Sequence, residues 1–182
     1  MFLSDSTIRK LIASGHIGVD PFDEHLVQPA SLDCRLGNEF RRMLPSDEEL
    51  DVCRGDAVTW DATDVPDGEP FTLQPGGFVL GHTKEAWNFP PDVLGFLDGK
   101  SSLGRIGLLV HVTAGFCDPG FQGQLTLELS NINTRDIILR PGMPIAQMTF
   151  ALLDKPSERP YGTPGLGSRY QGQVRATSAR VL

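Results

Sequence analysis

Glu128 lies in the middle of the clearest strand pattern in the sequence. The apolar residues of this stretch would share one face of a strand, and they are Leu125, Leu127 and Leu129. The polar residues would share the other face, and they are Gln124, Thr126, Glu128 and Ser130. A carboxylate on a polar face can simply be solvated, but one enclosed in a site can transfer protons to and from a substrate. Considered within this strand alone, Glu128 is better explained as a solvent-exposed carboxylate than as a general acid–base residue.

The segment Gly99-Lys100-Ser101-Ser102 invites comparison with a phosphate-binding P-loop. The full motif requires another glycine five positions before Gly99, and Leu94 stands there. No helical pattern clearly follows the segment. We therefore reject the P-loop interpretation.

The histidines and cysteines form no familiar catalytic or metal-binding motif. They are scattered along the chain as His16, His25, His82, His111, Cys34, Cys53 and Cys117. No H-x-E or C-x-x-C sequence is present, so we expect no zinc site. The G-x-S-x-G sequence of many serine hydrolases is also missing. Side chains other than zinc ligands would have to activate water.

The charge of the chain excludes some classes of partner. A net charge of -7 argues against general nucleic-acid binding, which needs an excess of Lys and Arg. Residues 155–182 carry five basic residues and one acidic residue, a net +4, which leaves -11 for the first 154 residues. A short basic tail on an acidic body suits a nucleotide, although a solvated tail fits the charge equally well. No long apolar run predicts a membrane span, and three dispersed cysteines favour a reducing cytoplasm.

The patterns predict one mainly β domain over residues 1–182, with a short N-terminal helix. Ser4 can cap this helix and Gly15 can end it. Its apolar positions follow helical spacing and are Ile8, Leu11 and Ile12. Pro75-Gly76 and Pro141-Gly142 fit type II turns between short strands. Such strands and turns indicate a β-sandwich, barrel or jelly roll.

Three other stretches have distinct patterns. Leu32, Cys34 and Leu36 alternate with Ser31, Asp33 and Arg35, which predicts a half-buried strand. Residues 46–69 contain nine acidic residues and one arginine, and we interpret them as a surface excursion. From Tyr161 onward the chain is poor in apolar residues, so we expect a mobile tail that becomes ordered only against another surface.

Several long motifs, in matching order, resemble one known family. Residues 99–131, GKSSLGRIGLLVHVTAGFCDPGFQGQLTLELSN, are similar to the nucleotide-binding core of dCTP deaminases, and most of all to the bifunctional branch that forms dUMP directly. The resemblance continues in QPASLDCRL at 28–36, in RPGM at 140–143 with Gln147, and in PYG at 160–162 with SRYQGQ at 168–173. It covers nearly the whole chain except about residues 43–67.

The resemblance implies a dUTPase-like distorted β-barrel or jelly roll that assembles as a homotrimer, with dCTP or dUTP sites between subunits. Glu128 matches the catalytic carboxylate, and Asp118 matches an aspartate that contacts the sugar and positions water. The phosphate-binding and site-organising segment corresponds to Lys100, Ser101, Ser102, Leu103, Gly104 and Arg105. Further nucleotide contacts correspond to Thr126, Leu127, Gln147, Tyr161, Arg169 and Gln173, the last three in a tail at 160–182 that would close over the site.

Gly115 and Phe116 match the residue pair that marks dUMP-forming members of the family. The sequence departs from the family pattern at three positions, where Arg169 replaces a usual Lys, Cys117 a usual Ile and Asp98 a usual Glu. Arg169 keeps the charge of a lysine but presents its hydrogen-bond donors in a different geometry. Its contact with phosphate would therefore differ from that of the usual lysine.

The implied reaction is hydrolytic deamination of dCTP without zinc, followed by release of diphosphate. Glu128 would carry protons, with Arg105 and Ser101 orienting it and the water, while the backbone of residues 112–114 reads the base. Asp118 would orient a second water onto the α-phosphate, with Mg²⁺ carried by the triphosphate. Three alternatives stay open: a deaminase that stops at dUTP, a plain dUTPase, and a catalytically silent nucleotide-binding regulator.

Overall fold

Antiparallel strands make up most of the regular secondary structure in the computed structural model, which describes residues 1–51, 58–113 and 115–180. The elements in chain order are α1 (Asp5–Ala13), β1 (Gly18–Asp20), a 3-10 helix (Glu24–Leu26), β2 (Val27–Gln28), β3 (Ser31–Arg35), β4 (Glu39–Met43), β5 (Trp60–Asp64), β6 (Phe71–Leu73), β7 (Phe78–Asn88), β8 (Val93–Gly99), α2 (Ser101–Gly104), β9 (Leu108–Leu109), β10 (Phe116–Cys117), β11 (Gln122–Asn131), β12 (Ile137–Leu139) and β13 (Pro144–Leu152). The prediction of a mainly β fold with a short N-terminal helix is confirmed.

Two large sheets and one small sheet organise these strands. One sheet has the order β5-β4-β7-β11-β9, and β1 also pairs with β7. The second has the order β10-β8-β13-β3-β2, and the small sheet pairs β12 with β6. A continuous hydrophobic cluster draws on both large sheets. The ring centroids of Trp87 on β7 and Phe150 on β13 are 6.2 Å apart, so aromatic contacts join the two sheets.

The local predictions at the helix and the turns are largely confirmed. Helix α1 begins after Ser4, whose backbone is extended, but the Ser4 side chain makes no capping hydrogen bond. Ile8 is fully buried, and Gly15, with a φ of 74°, follows two residues after the helix ends. Gly76 and Gly142 have φ values of 71° and 86°, the left-handed conformation that a type II turn requires at this position.

Two strand predictions need correction. In β3, the polar residues Ser31 and Asp33 are buried together with the apolar ones, because β2 and β13 pair along both edges and Lys100 reaches Asp33. The acidic stretch 46–69 is not only a surface excursion, since it includes β5, which pairs with β4. Residues 52–57 of that stretch, with Cys53, lie outside the described residues.

The C-terminal tail lies against the body of the same chain. Gln173 pairs with Gly123 of β11 in a parallel bridge, and the Gln173 Nε2 donates to the Gln124 carbonyl at 2.6 Å. Ala176 is buried. The tail is therefore in position to form one wall of a cavity beside β11. In the described part of the chain, no helix is both long and apolar enough to span a membrane.

Candidate functional site

A cavity of about 450 Å³ lies between β11, the neighbouring strands and the tail. Six of the residues predicted from the sequence line it, and they are Phe116, Asp118, Thr126, Glu128, Tyr161 and Gln173. Phe116 lies on the short β10, Asp118 directly follows it, and Thr126 and Glu128 lie on β11, while the tail supplies the last two. The fold thus brings together residues that are up to 57 positions apart in the sequence, from Phe116 to Gln173.

Glu128 faces this cavity from the polar side of β11, as its alternation pattern predicts. It lies opposite Leu80 of β7, and its Oε2 accepts a hydrogen bond from the Val112 backbone N–H at 2.9 Å. Leu127 and Leu129 on the other face are fully buried in the core, so Leu127 does not present its side chain to the cavity. Leu125 lines the cavity, because the pairing with β7 shifts register between Gln124 and Thr126 and breaks strict alternation there.

Asp118 lies at a turn that begins directly after β10. The Phe121 backbone N–H donates to the Asp118 carbonyl at 3.1 Å, and Gly120 has a φ of 89°. Tyr161 of the tail donates its N–H to Pro119 at 2.7 Å and packs edge-on against the Phe121 ring. These contacts fix the turn, and its aspartate side chain remains exposed towards the cavity.

A second cavity of about 350 Å³ adjoins the first, and Asp118 and Tyr161 line both. Its wall also contains Arg159, Ser157 and Ser168. Within the described residues, the Arg159 guanidinium and the Asp118 carboxylate have no hydrogen-bond partner or ion pair. A cavity with a free guanidinium and hydroxyl groups can accept an anionic group next to the aspartate.

The tail holds Thr126 and the aromatic residues in place. Thr126 Oγ1 accepts the Thr177 backbone N–H at 3.0 Å, and the Tyr161 hydroxyl accepts the Tyr170 N–H at 2.9 Å. Arg169 does not line the main cavity. Its guanidinium donates to the Arg180 carbonyl at 2.7 Å, so within one chain it is bound to the tail itself.

The segment from Lys100 to Arg105 lies outside the main cavity. Lys100 makes an ion pair of 2.5 Å with the buried Asp33, and the short helix α2 follows. Ser101, Ser102, Gly104 and Arg105 are exposed, while Leu103 packs against the core. Gln147 lies on β13 directly opposite Asp33. Within one chain, the predicted residues therefore form two groups, one in the cavity and one beside Asp33.

Gly115 and Phe116 lie where the chain enters β10. Gly115 is buried, and its carbonyl accepts the Leu97 N–H at 2.7 Å. Phe116 is 62% exposed at the rim of the cavity. Ala114, the last of the three residues predicted to read the base, lies outside the described residues, whereas Val112 is exposed and contacts Glu128 through its N–H.

The walls of the cavity include residues that the sequence patterns did not single out. An apolar wall is formed by Met43, Trp60, Phe78 and Leu80. Cys117 also lines the cavity, and burial, together with the charge of Asp118, raises the pKa of its thiol to about 12. The thiol is therefore protonated near neutral pH and is not a nucleophile. The only sequence signal for the apolar wall is the aromatic pair Trp60 and Phe78, whose contact depends on strand pairing.

In the part of the chain that the structure describes, the acidic and metal-ligating side chains do not gather into a metal site. Among residues 1–51, 58–113 and 115–180, no group of three His, Cys, Asp or Glu side chains is placed to hold a metal ion. What the main cavity offers instead is two separate carboxylates, Glu128 and Asp118, beside an apolar wall. One carboxylate can transfer protons and the other can orient a water molecule.

Comparisons with known proteins agree on one family. A model of the dCTP deaminase-like family matches residues 2–153. The chain is 50% identical over 181 residues to a dUMP-forming dCTP deaminase of Mycolicibacterium vanbaalenii, covering 99% of this chain and 95% of the relative. It is 47% identical to a dCTP deaminase of Natronomonas pharaonis, covering 100% of this chain and 95% of that protein.

A solved structure gives an independent comparison of the fold. The crystal structure of 2'-deoxycytidine 5'-triphosphate deaminase from Agrobacterium tumefaciens matches with a TM-score of 0.66 and 26% sequence identity. The match covers 84% of this chain and 48% of that chain, so this chain spans about half the length of that protein.

Proposed function

Because the chain belongs to the dCTP deaminase-like family, we propose that it is a dUMP-forming dCTP deaminase. Water and dCTP would give dUTP and ammonia, and a second water would convert dUTP to dUMP and pyrophosphate. The observation that carries the proposal is that Glu128 and Asp118 line one cavity, while neither carboxylate has a cationic partner among the described residues. With two carboxylates in one cavity, each of the two hydrolytic steps can have its own group that acts on water.

Glu128 performs the proton transfers of the deamination step. It takes one proton from the water whose oxygen attacks C4 of cytosine and delivers it to N3. It then takes the second proton from the hydroxyl formed at C4 and delivers it to the departing amino group. The C4–N4 bond then breaks and ammonia leaves. The 2.9 Å hydrogen bond from the Val112 N–H holds one carboxylate oxygen, which leaves the other free to face the base. Side chains alone supply this chemistry, so the proposed deamination requires no zinc.

The residues near Asp33, which are the segment from Lys100 to Arg105 and Gln147, serve the site of a neighbouring copy in a homotrimer. Ser101 and Arg105 are exposed and lie outside the cavity that contains Glu128. If the segment from Lys100 to Arg105, together with Gln147, faces the cavity of the next subunit, it supplies the cations that a triphosphate requires. This arrangement accounts for the separation of the predicted residues into two groups.

Asp118 orients the water of the second step. The oxygen of that water attacks the α-phosphorus, the bond to the bridging oxygen breaks, and pyrophosphate leaves. Mg²⁺ enters as part of the Mg–dCTP substrate and neutralises charge on the phosphates. The tail residues Tyr161 and Gln173 close the cavity over the nucleotide, and Arg169 contributes charge once the tail engages the phosphates. The buried, reduced thiols Cys34 and Cys117 suit a cytoplasmic enzyme.

Product analysis tests the proposal. The purified protein is incubated with dCTP and Mg²⁺, and the nucleotides, ammonia and pyrophosphate are quantified over time. We expect equal amounts of dUMP, ammonia and pyrophosphate, with little free dUTP, and no loss of activity with a zinc-selective chelator. Accumulation of dUTP as the end product would establish the deaminase-only alternative, and binding of dCTP without turnover would identify a nucleotide-binding regulator.

A further inference from the structure

Two exposed phenylalanines form an aromatic pair at the rim of the main cavity. Phe96 of β8 and Phe116 of β10 lie directly opposite each other in the antiparallel pairing. Their ring centroids are 6.2 Å apart and the rings meet at 87°, an edge-to-face contact. Phe116 lines the cavity, whereas Phe96 does not. Phe96 thus contacts the ring of Phe116 from outside the site.

The two partners of this pair are held very differently. Phe96 lies within β8, which pairs with β13, and its carbonyl also accepts the Thr149 hydroxyl at 3.1 Å. Phe116 belongs to a strand of only two residues that pairs with β8 alone among the described strands. Phe116 is 62% exposed, and among the described aromatic rings the one in contact with it is that of Phe96. The backbone at Phe96 is therefore held by more contacts than the backbone at Phe116.

Gly115 has a steric reason to be glycine at this position. A Cβ there would lie 2.5 Å from the Leu97 carbonyl oxygen and 3.2 Å from Cζ of Phe96. The first distance is too short for any side chain without a shift of the backbone, so a larger residue would push β10 away from β8. Gly115 therefore permits the close approach that brings Phe116 into contact with Phe96.

This packing acts on the residue that we assign to the second hydrolysis. Asp118 follows Phe116 by two residues, with the buried Cys117 between them. The segment from Phe116 to Asp118 is held at its start by the pairing of β10 with β8, and at its end by the backbone hydrogen bonds of the Asp118 turn. Glu128, in contrast, lies on β11, whose pairing with β7 spans most of the strand. Asp118 thus directly follows β10 of one sheet, whereas Glu128 lies within β11 of the other.

We propose that Phe96 is a positioning residue for diphosphate release, which rests on the proposed function. Through the edge-to-face contact it holds Phe116, and with it the Asp118 turn, in the geometry that places the second water at the α-phosphate. Removal of the ring loosens this segment and slows the second step, while deamination by Glu128 continues. The consequence is a larger share of dUTP that leaves before it is hydrolysed.

Three substitutions of Phe96 and one control test this role. Phe96→Ala removes the ring, Phe96→Leu keeps an apolar side chain without an aromatic edge, and Phe96→Trp restores an aromatic edge. Phe22→Ala is the control, because Phe22 is similarly exposed, at 39% against 41%, and lines neither described cavity. For each protein, ammonia release and the dUTP:dUMP ratio are measured with dCTP, and kcat and KM are measured with dUTP.

We expect Phe96→Ala and Phe96→Leu to lower kcat for dUTP about two- to tenfold, the range that an aromatic pair can contribute, with a matching rise in the dUTP share. Ammonia release should stay within about twofold of wild type by the same reasoning. Phe96→Trp should recover most of the wild-type ratio, and Phe22→Ala should match wild type.

Each other outcome contradicts the role. An unchanged product ratio in both Phe96→Ala and Phe96→Leu would show that the pair does not position the site. An equal fall in ammonia release and dUTP hydrolysis would show a general structural effect instead. A wild-type protein that makes dUTP but no dUMP would refute the proposed bifunctional reaction itself, and with it this inference, before any variant is considered.

Discussion

Replacement of Glu128 by glutamine should stop deamination and leave the fold and nucleotide binding intact. A glutamine amide oxygen can still accept the Val112 N–H that the carboxylate accepts at 2.9 Å, so this contact survives. The substitution removes the group that carries protons, a loss of about 10²–10⁴-fold in kcat, or roughly 3–5 kcal/mol of activation free energy. Glu128 is only half-buried and has no ion pair among the described residues, so the free energy of unfolding should change by less than about 0.5 kcal/mol.

The assay follows ammonia release from dCTP in the wild type, Glu128→Gln and the control Glu69→Gln. Glu69 is exposed and lies outside both cavities, so its substitution removes one negative charge without touching the site. The affinity for dCTP, measured by calorimetry, should differ little between the three proteins. The melting temperature of Glu128→Gln should shift by no more than about 2 °C. A Glu128→Gln enzyme with kcat within about tenfold of wild type would refute the proton-transfer role.

Three further changes have separate expected results. Asp118→Asn should reduce dUMP formation from dUTP more than ammonia release from dCTP, and equal losses in both assays would contradict the assigned roles. Removal of residues from Tyr161 onward should reduce kcat/KM for dCTP by about 100-fold or more, because the tail forms a wall of the site. Full activity of the truncated protein would refute the role of the tail in closing the site. Burial lowers the pKa of His82, whose Nε2 accepts the Glu39 N–H. The neutral imidazole therefore stabilises the fold fully above its pKa of 6.5 in the unfolded chain, and this stabilisation is lost as the pH falls through the lower pKa in the folded protein. Urea unfolding at pH 7.5 and 5.5 should show this loss, and His82→Gln should reduce it.

Elements with a strong local pattern could be predicted from the sequence. The helix at Ile8, the turns at Gly76 and Gly142 and the alternation around Glu128 each depend on neighbours in the chain, and the structure confirms them. Strand β5 was missed because its residues remain largely exposed and acidic, so its pairing with β4, not its own pattern, makes it a strand. The burial of Asp33 depends on Lys100, 67 residues away, and no local pattern contains that contact.

The candidate site was predicted in the same uneven way. Family motifs place Glu128, Asp118, Tyr161 and Gln173 in the site, and the fold brings these four into one cavity, whereas Arg169, predicted with them, does not line it. They do not reveal that the segment from Lys100 to Arg105 lies apart within one chain, because no sequence motif contains the pairing of Lys100 with the buried Asp33. The apolar wall around Trp60 was also missed, since it arises where three strands come side by side.

The most direct test of two hydrolyses on one nucleotide is a reaction of the wild-type protein with dCTP and Mg²⁺ in water enriched in oxygen-18. The dUMP product is then analysed by mass spectrometry with fragmentation into base, sugar and phosphate. Attack by Glu128-activated water at C4 and by Asp118-oriented water at the α-phosphorus predicts two heavy oxygen atoms in dUMP, one in the uracil and one in the phosphate. A product that carries heavy oxygen in the uracil alone, whether it is dUTP or a dUMP whose phosphate is unlabelled, would contradict the account.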